Sequence, residues 1–287
     1  MTDDQCRFFQ GWFKNHARTF RESDPLHQRS LDLKEEHTAR VCAAADRITS
    51  GLGLSDNARR LATTTALFHD LGRFPQYRQH RTFRDPDSEN HAKLSLRELH
   101  RHRVLHILDP AERHLISRAI IFHNRQCLPD HLEEETLLHC RLIRDADKVD
   151  ILRVMAEHFQ RPEPLRNPVI TLGLPQDGGV RDTVYRQLFE GRIMNYAELK
   201  TTNELKILQL SWVFDVNFRP TFEILKERND IGALAATIPD SLLLRQAVSF
   251  VNEYIDRQLV SRGEQGSLSK GTAPSPSSLP HALKEAC

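Results

Sequence analysis

No run of apolar residues in this chain approaches the length of a membrane span. The opening residues, Met1-Thr2-Asp3-Asp4-Gln5, are acidic and carry no apolar stretch, so a secretory leader is not expected. Cysteine is scarce and scattered. The five, Cys6, Cys42, Cys127, Cys140 and Cys287, are odd in number and form no paired spacing. That speaks against a disulfide frame or a zinc knuckle, and for reduced thiols in a cytoplasmic setting. An excess of charge of one sign is missing too. The formal net charge is +1 with histidines neutral. Broad attraction to nucleic acid or to an anionic membrane is therefore not expected, although a local basic pocket is compatible with that charge. Strand-like alternation and internal repeats are also absent, which leaves an all-α fold.

What is present is ordinary in bulk. Hydrophobic residues make up 39% and charged residues 28% of 287, and a fold of this size buries about three quarters of its unfolded surface. Residues 5–20 read as a short amphipathic helix docked through Phe8, Phe9, Trp12, Phe13 and Phe20. Residues 31–52 carry a stripe of Leu33, His37, Val41, Ala44, Ile48 and Leu52 at three- and four-residue steps. Helices are expected over 56–72, about 88–107 (capped by Asp87 or Ser88), 111–125 and about 131–158, with a polar loop over 78–88. The Pro/Gly-rich stretch 161–182 reads as irregular. Further helices are expected near 182–190, 202–228 (broken or kinked near Phe218 by Pro220) and 240–260. The division is a single helical domain over 1–260 with N- and C-terminal helical extensions. A Ser/Gly/Pro-rich tail, expected to be disordered, follows over 261–287.

Chemistry concentrates at Ala66-Leu67-Phe68-His69-Asp70-Leu71-Gly72-Arg73-Phe74. His69 shares a helix face with Ala62, Thr65 and Ala66, all small or short, so another element can approach it closely. Asp70 is turned about 100° away, and Gly72 reads as a helix terminator. Alone, the pair reads as a capped helix end. Its company argues otherwise. His37 sits within an apolar stripe, and His123 ends one formed by Ile116, Ala119 and Ile120. His91 opens a helix, and Asp147 and Asp150 lie on an apolar arc with Ile143, Ala146, Ile151 and Val154. An unpartnered carboxylate there is costly, so metal, Lys or Arg must attend it. One such buried polar group is a satisfied core residue. Five or six on successive helices point to one polar centre, as in metal-binding bundles. Mixed His and carboxylate donors suit borderline or hard divalent ions without choosing among them.

The ordered set resembles the HD-domain superfamily of metal-dependent phosphohydrolases. The matching settings are His37-Thr38-Ala39-Arg40-Val41, Leu67-Phe68-His69-Asp70-Leu71-Gly72-Arg73-Phe74 and Arg144-Asp145-Ala146-Asp147-Lys148-Val149-Asp150. The similarity covers about residues 30–155. It extends toward a bacterial subgroup through Thr82-Phe83-Arg84-Asp85, Ser88-Glu89-Asn90-His91 and Leu210-Ser211-Trp212-Val213-Phe214-Asp215. The resemblance implies an HD-domain-like helical bundle in which His37, His69, Asp70 and Asp147 hold a first divalent metal. His91 and His123 fall where dinuclear members hold a second, with Asp70 bridging. Two ions drawn from Fe, Mn, Zn, Ni, Co or Mg are thus expected. The implied reaction is hydrolysis of a small phosphoester, a nucleotide or sugar phosphate, by metal-activated hydroxide. Asp70, Arg73 and Lys148 would be catalytic, and Lys34, Arg40, Arg73 and Lys148 would meet substrate phosphate. The Gly-Tyr-Pro signature of the superfamily's cyclic-dinucleotide branch is missing, which counts against that substrate. Two other readings stay open, a di-iron oxygenase of HD-type fold and a non-catalytic nucleotide-binding sensor.

Overall fold

The computed structural model describes residues 1–265, and among these every regular element is helical. Helix α1 (Asp3–Arg18) starts with a capping box between Thr2 and Gln5. Helix α2 (Pro25–Gly51) begins earlier than its apolar stripe, because Asp24 caps the amides of Leu26 and His27 and Pro25 takes the first helical position. Helix α3 (Asp56–Phe68), capped by Ser55, stops four residues short of the expected end. His69 and Asp70 therefore lie in the turn before α4 (Arg73–His80), a helix the sequence pattern does not announce. Helix α5 (His91–Arg101) is capped by Asn90, two to three residues beyond the expected caps Asp87 and Ser88. It is followed by a 3₁₀ turn (Val104–Ile107). Helix α6 (Pro110–Phe122) begins at Asp109, and α7 covers Glu134–Gln160.

Beyond α7 come two 3₁₀ turns (Glu163–Leu165 and Pro168–Thr171) and α8 (Asp182–Phe189). The expected helix 202–228 is two elements, α9 (Thr202–Ser211) and α10 (Arg219–Arg228), with Phe218 as the N-cap of α10 and Pro220 in its first turn. Helices α11 (Asp230–Ala235) and α12 (Leu242–Gln265) complete the described chain. Helix α12 thus continues into the segment read as a tail, whose remainder lies outside the described residues.

The chain divides into two compact units. The first comprises Met1–Ile151 and Asn167–Leu172, and the second comprises Leu152–Arg166 and the chain from Gly173 onward. In the second unit, Phe214 meets Tyr254 edge-on at 5.0 Å, and buried Glu204 is held by Arg181 at 2.6 and 2.9 Å.

The first unit is built on an aromatic wedge. Phe9, Phe13 and Phe20 are buried, whereas Phe8, on the other side of α1, is exposed. Phe9 meets Phe68 at 5.5 Å, and Phe13 and Phe20 meet Phe74 at 5.9 and 5.8 Å. Each such side chain stabilises the fold by roughly 1.5–3 kcal/mol. Phe68, Leu71 and Phe74 are fully buried, so this wedge backs the turn that carries His69 and Asp70.

Gly72 holds the front of that turn. Its φ is −64°, so it is not a left-handed terminator as expected from the sequence. Its role is clearance. A Cβ there would lie 2.2 Å from the His91 carbonyl oxygen and 2.5 Å from the Ser95 amide. The Gly72 amide donates to Ser95 Oγ at 2.8 Å, and Ser95 Oγ donates to the His69 carbonyl at 2.8 Å. Gly72→Ala is expected to cost about 1–3 kcal/mol by overpacking. Gly11→Ala, with nothing within 4 Å and a helical backbone, is expected to stabilise by roughly 0.5–1 kcal/mol. Denaturant unfolding of the two variants measures the contrast.

Candidate metal centre

Four histidines point one nitrogen each at a common centre because the other nitrogen is already spoken for. His69 and His123 are the C-cap residues of α3 and α6. Each places Nδ1 2.7 Å from the carbonyl three residues earlier, Ala66 and Ile120 respectively. A carbonyl only accepts, so both Nδ1 atoms carry the hydrogen and both Nε2 atoms present a lone pair. His37, in the middle of α2, donates Nδ1–H to Asp150 Oδ2 at 2.7 Å. His91, at the start of α5, donates Nδ1–H to Asp85, 2.7 Å from Oδ2.

The inward atoms are in conflict without a cation. His91 Nε2 and His123 Nε2 lie 3.0 Å apart, lone pair to lone pair. Burial, reinforced by the neighbouring His91 and His69, brings the His123 pKa down to about 3. Burial and Arg73 lower that of His91 against the pull of Asp85. Neither ring therefore supplies a proton to relieve the contact. His37 Nε2 and His69 Nε2 are buried and make no hydrogen bond. His37 is the exception in charge. Burial and Lys34 pull it down, but the neighbouring carboxylates of Asp147 and Asp150 leave it raised. A metal there would compete with a proton.

Two carboxylates complete the set. Asp70 divides its oxygens. Oδ2 lies 3.6 Å from His37 Nε2 and 3.8 Å from His69 Nε2. Oδ1 lies 3.4 Å from His91 Nε2 and 4.0 Å from His123 Nε2. Asp147 Oδ1 lies 3.1 Å from His37 Nε2 and 3.6 Å from His69 Nε2. Burial would raise the Asp70 pKa, but Lys34, His69, Arg73 and His91 hold it well below the usual carboxylate range. Asp147 is likewise held low against burial, chiefly by His37 and His69. Three overlapping groups each bring one ligand atom per residue within 4.8 Å of the others and could hold a divalent ion: His37, His69 and Asp70; His69, His123 and Asp147; and Asp70, His91 and His123. Asp70 is shared by the first and the third.

The expected cations divide. Lys34 Nζ lies 2.7 Å from Asp70 Oδ2 and 5.1 Å over the Phe83 ring. Arg73 Nε lies 3.4 Å from Asp70 Oδ1, and its Nη1 reaches Asp85 Oδ1 at 3.0 Å, Gln76 Oε1 at 2.9 Å and the Phe83 carbonyl at 2.5 Å. Arg40 faces away from the six donors, with Nε 2.6 Å from Asp150 Oδ1 and Nη1 3.5 Å from Glu36. Lys148 is half-buried on α7.

Sequence reasoning missed the supports. Asp85 holds His91 and also receives Gln76 Nε2 at 2.9 Å and Asn124 Nδ2 at 3.2 Å. Burial opposes its ionisation, yet His91 and Arg73 bring its pKa down to about 2. Asp150 was expected to need a partner and has two, His37 and Arg40. Arg144 donates to the carbonyls of His123 at 3.3 Å and Gln126 at 3.2 Å. Asp85 sits in a loop, where periodicity carries no signal.

Residues 35–152 match the family model described as HD domain. No curated protein and no solved structure matches the chain. Elemental analysis of protein purified without added metal is expected to find two equivalents fewer in Asp70→Ala than in the native chain. Asp150→Asn, which weakens the grip on His37, is expected to lower metal affinity about 10–100-fold. Competition with a chelator measures that loss.

Proposed function

We propose that this chain, whose residues 35–152 are an HD domain, is a metal-dependent hydrolase of a small phosphoester, a nucleotide or sugar phosphate. The observation that carries the reading is the division of Asp70. One oxygen faces His37 and His69, and the other faces His91 and His123. When bound, two divalent ions supply water of near-neutral pKa and draw charge from phosphoryl oxygens. The residues of the chain provide the rest. Asp70 stays ionised under Lys34 and Arg73 and ties the two halves together. Lys34, beside Asp70, is the cation best placed to offset phosphate charge as it develops. Arg73 has Nη1 committed to Asp85, so its part in the proposal is chiefly to hold Asp70 in place. Lys148 is proposed as a further phosphate contact, and Arg40 as a positioning residue acting through Asp150.

The exposure of the centre favours a small substrate. His69 is fully buried, and His37, His91 and His123 nearly so. The side chains of Asp147, Lys34 and Arg73 are 18%, 15% and 14% exposed. A phosphoryl group would enter past these three. A duplex or a broad macromolecular surface fits neither this narrow opening nor a net charge of +1. No helix among the described residues is long and apolar enough to cross a membrane. A cytoplasmic setting belongs to the same proposal.

Phosphate release from a panel of nucleotides, sugar phosphates and a generic aryl phosphate tests it, with Mn, Fe, Co, Ni, Zn or Mg supplied in turn. Turnover of at least one ester is expected, abolished by chelator and reduced about 100-fold or more in Asp70→Ala. Metal-replete protein that cleaves nothing across the panel would overturn the reading. Two irons with a mixed-valence spectrum and oxygen uptake would redirect it to oxidation, and tight nucleotide binding without turnover would redirect it to sensing.

A further inference from the structure

A second group of metal-binding side chains lies apart from the six donors. His16 stands in the last turn of α1. Glu98 lies in α5, and His102, one turn on, is its C-cap. His16 Nε2 is 3.3 Å from Glu98 Oε2, and His102 Nε2 is 3.6 Å from the same oxygen. One ligand atom from each of the three residues falls within 4.8 Å of the others. Ligand atoms around a tetrahedral zinc, at bonds of 2.0–2.1 Å, are spaced about 3.3 Å apart. An octahedral magnesium would need shorter edges, mainly between oxygens.

The chemistry of the three residues points the same way. His16 is more than nine-tenths buried, and its Nε2 has no hydrogen-bond partner although Glu98 is close. Trp12 stacks on the His16 ring at 4.6 Å and 15°, and Phe20 meets it edge-on at 5.1 Å, so the ring cannot swing out to find water. Glu98 is buried as well, and its ion-pair partners among the described residues are these two imidazoles. A buried carboxylate with no resident cation is costly. The His102 side chain is 40% exposed, which leaves an approach from solvent and room for a fourth, water ligand.

We propose that His16, Glu98 and His102 bind one zinc ion, which clips α1 onto α5. Glu98 and His102 face the site from one helix and His16 from another, and α1 lies outside the segment matched by the HD-domain family. The clip would hold an added helix against the domain by its end, while Phe9 and Phe13 hold it by its face. This site is independent of the phosphohydrolase reading, since none of its three residues belongs to that centre.

Trp12 gives the site its own reporter. The chain has two tryptophans, so Trp212→Phe leaves Trp12 as the only emitter. In that background, metal-stripped protein is titrated with Zn²⁺ and with Co²⁺ while fluorescence is followed. With Asp70→Ala added to that background, so that the six-donor centre takes no metal, zinc is expected to shift the emission at one equivalent, and cobalt to quench it. His102→Ala and Glu98→Gln should each abolish the response and reduce the zinc content of the purified chain by one equivalent. The first is at a partly exposed position and the second keeps the side-chain shape, and a native circular-dichroism spectrum verifies folding of each. Asp70→Ala should leave the Trp12 response intact. Zinc should raise the melting temperature of Asp70→Ala, whose six-donor centre takes no metal, but not that of the Asp70→Ala, His102→Ala double variant. Equal zinc content and equal quenching in the native, His102→Ala and Glu98→Gln chains would overturn the proposal and leave the three residues as a charge-paired helix contact. The phosphoester panel would be untouched by that result.

Discussion

One buried carboxylate organises the first unit. Asp70 must remain charged while shielded from water, and it must offer each of its oxygens to a different pair of imidazoles. The first demand is met by Lys34 and Arg73, whose positive charge outweighs the penalty of burial. The second is met by backbone geometry. Asp70 sits in a four-residue turn between α3 and α4, with its Oδ2 toward His37 and His69 and its Oδ1 toward His91 and His123. Remove the turn and the two groups of histidines lose their common member.

The rest of the unit reads as support for that turn. Behind it, Phe68, Leu71 and Phe74 lock into the aromatic face of α1. In front of it, α5 presses its backbone onto Gly72, and Ser95 ties the turn to that helix by one hydrogen bond given and one received. Each inward histidine is aimed by a partner on its far nitrogen. Two of those partners are carboxylates, Asp85 and Asp150, which are themselves anchored by Arg73 and Arg40. Two are main-chain carbonyls at helix ends. The carbonyl partners need no particular side chain at the supporting position, only a helix that ends in the right place.

That difference explains what was legible in the sequence. The all-α class and most helices followed from apolar periodicity and from caps such as Ser55 and Asp109. His37, His69, His123 and Asp147 were visible because polar groups interrupt otherwise apolar or small-residue faces, and His91 because it opens a helix. Residues 35–152, which match the HD-domain family model, contain all of them. Local contacts across loops were not legible. Asp85 and Phe83 lie in a polar loop that carries part of the family resemblance, but nothing in their spacing says that one holds His91 and the other carries Lys34 and Arg73 near its ring. Gly72 was noticed for the wrong reason. A glycine in sequence announces backbone freedom, whereas here the requirement is the missing Cβ, which becomes visible only once α5 is seen against it. The end of α3 was misplaced for a related reason. The apolar pattern runs on through Leu71, because Leu71 is buried by the wedge and not by continuation of the helix.

The ends of the helices carry a last consequence. Helices α3 and α6 finish at the centre, and α4 and α5 begin there. A helix presents roughly half a negative charge at its C-terminus and half a positive charge at its N-terminus, felt within about one turn. The residues at two electron-rich ends (His69, His123) and two electron-poor ends (Arg73, His91) all have side chains directed at Asp70. The electron-rich ends favour cations, and the electron-poor ends favour the anions that would accompany them. These partial charges add to those of Lys34 and Arg73 around a single carboxylate.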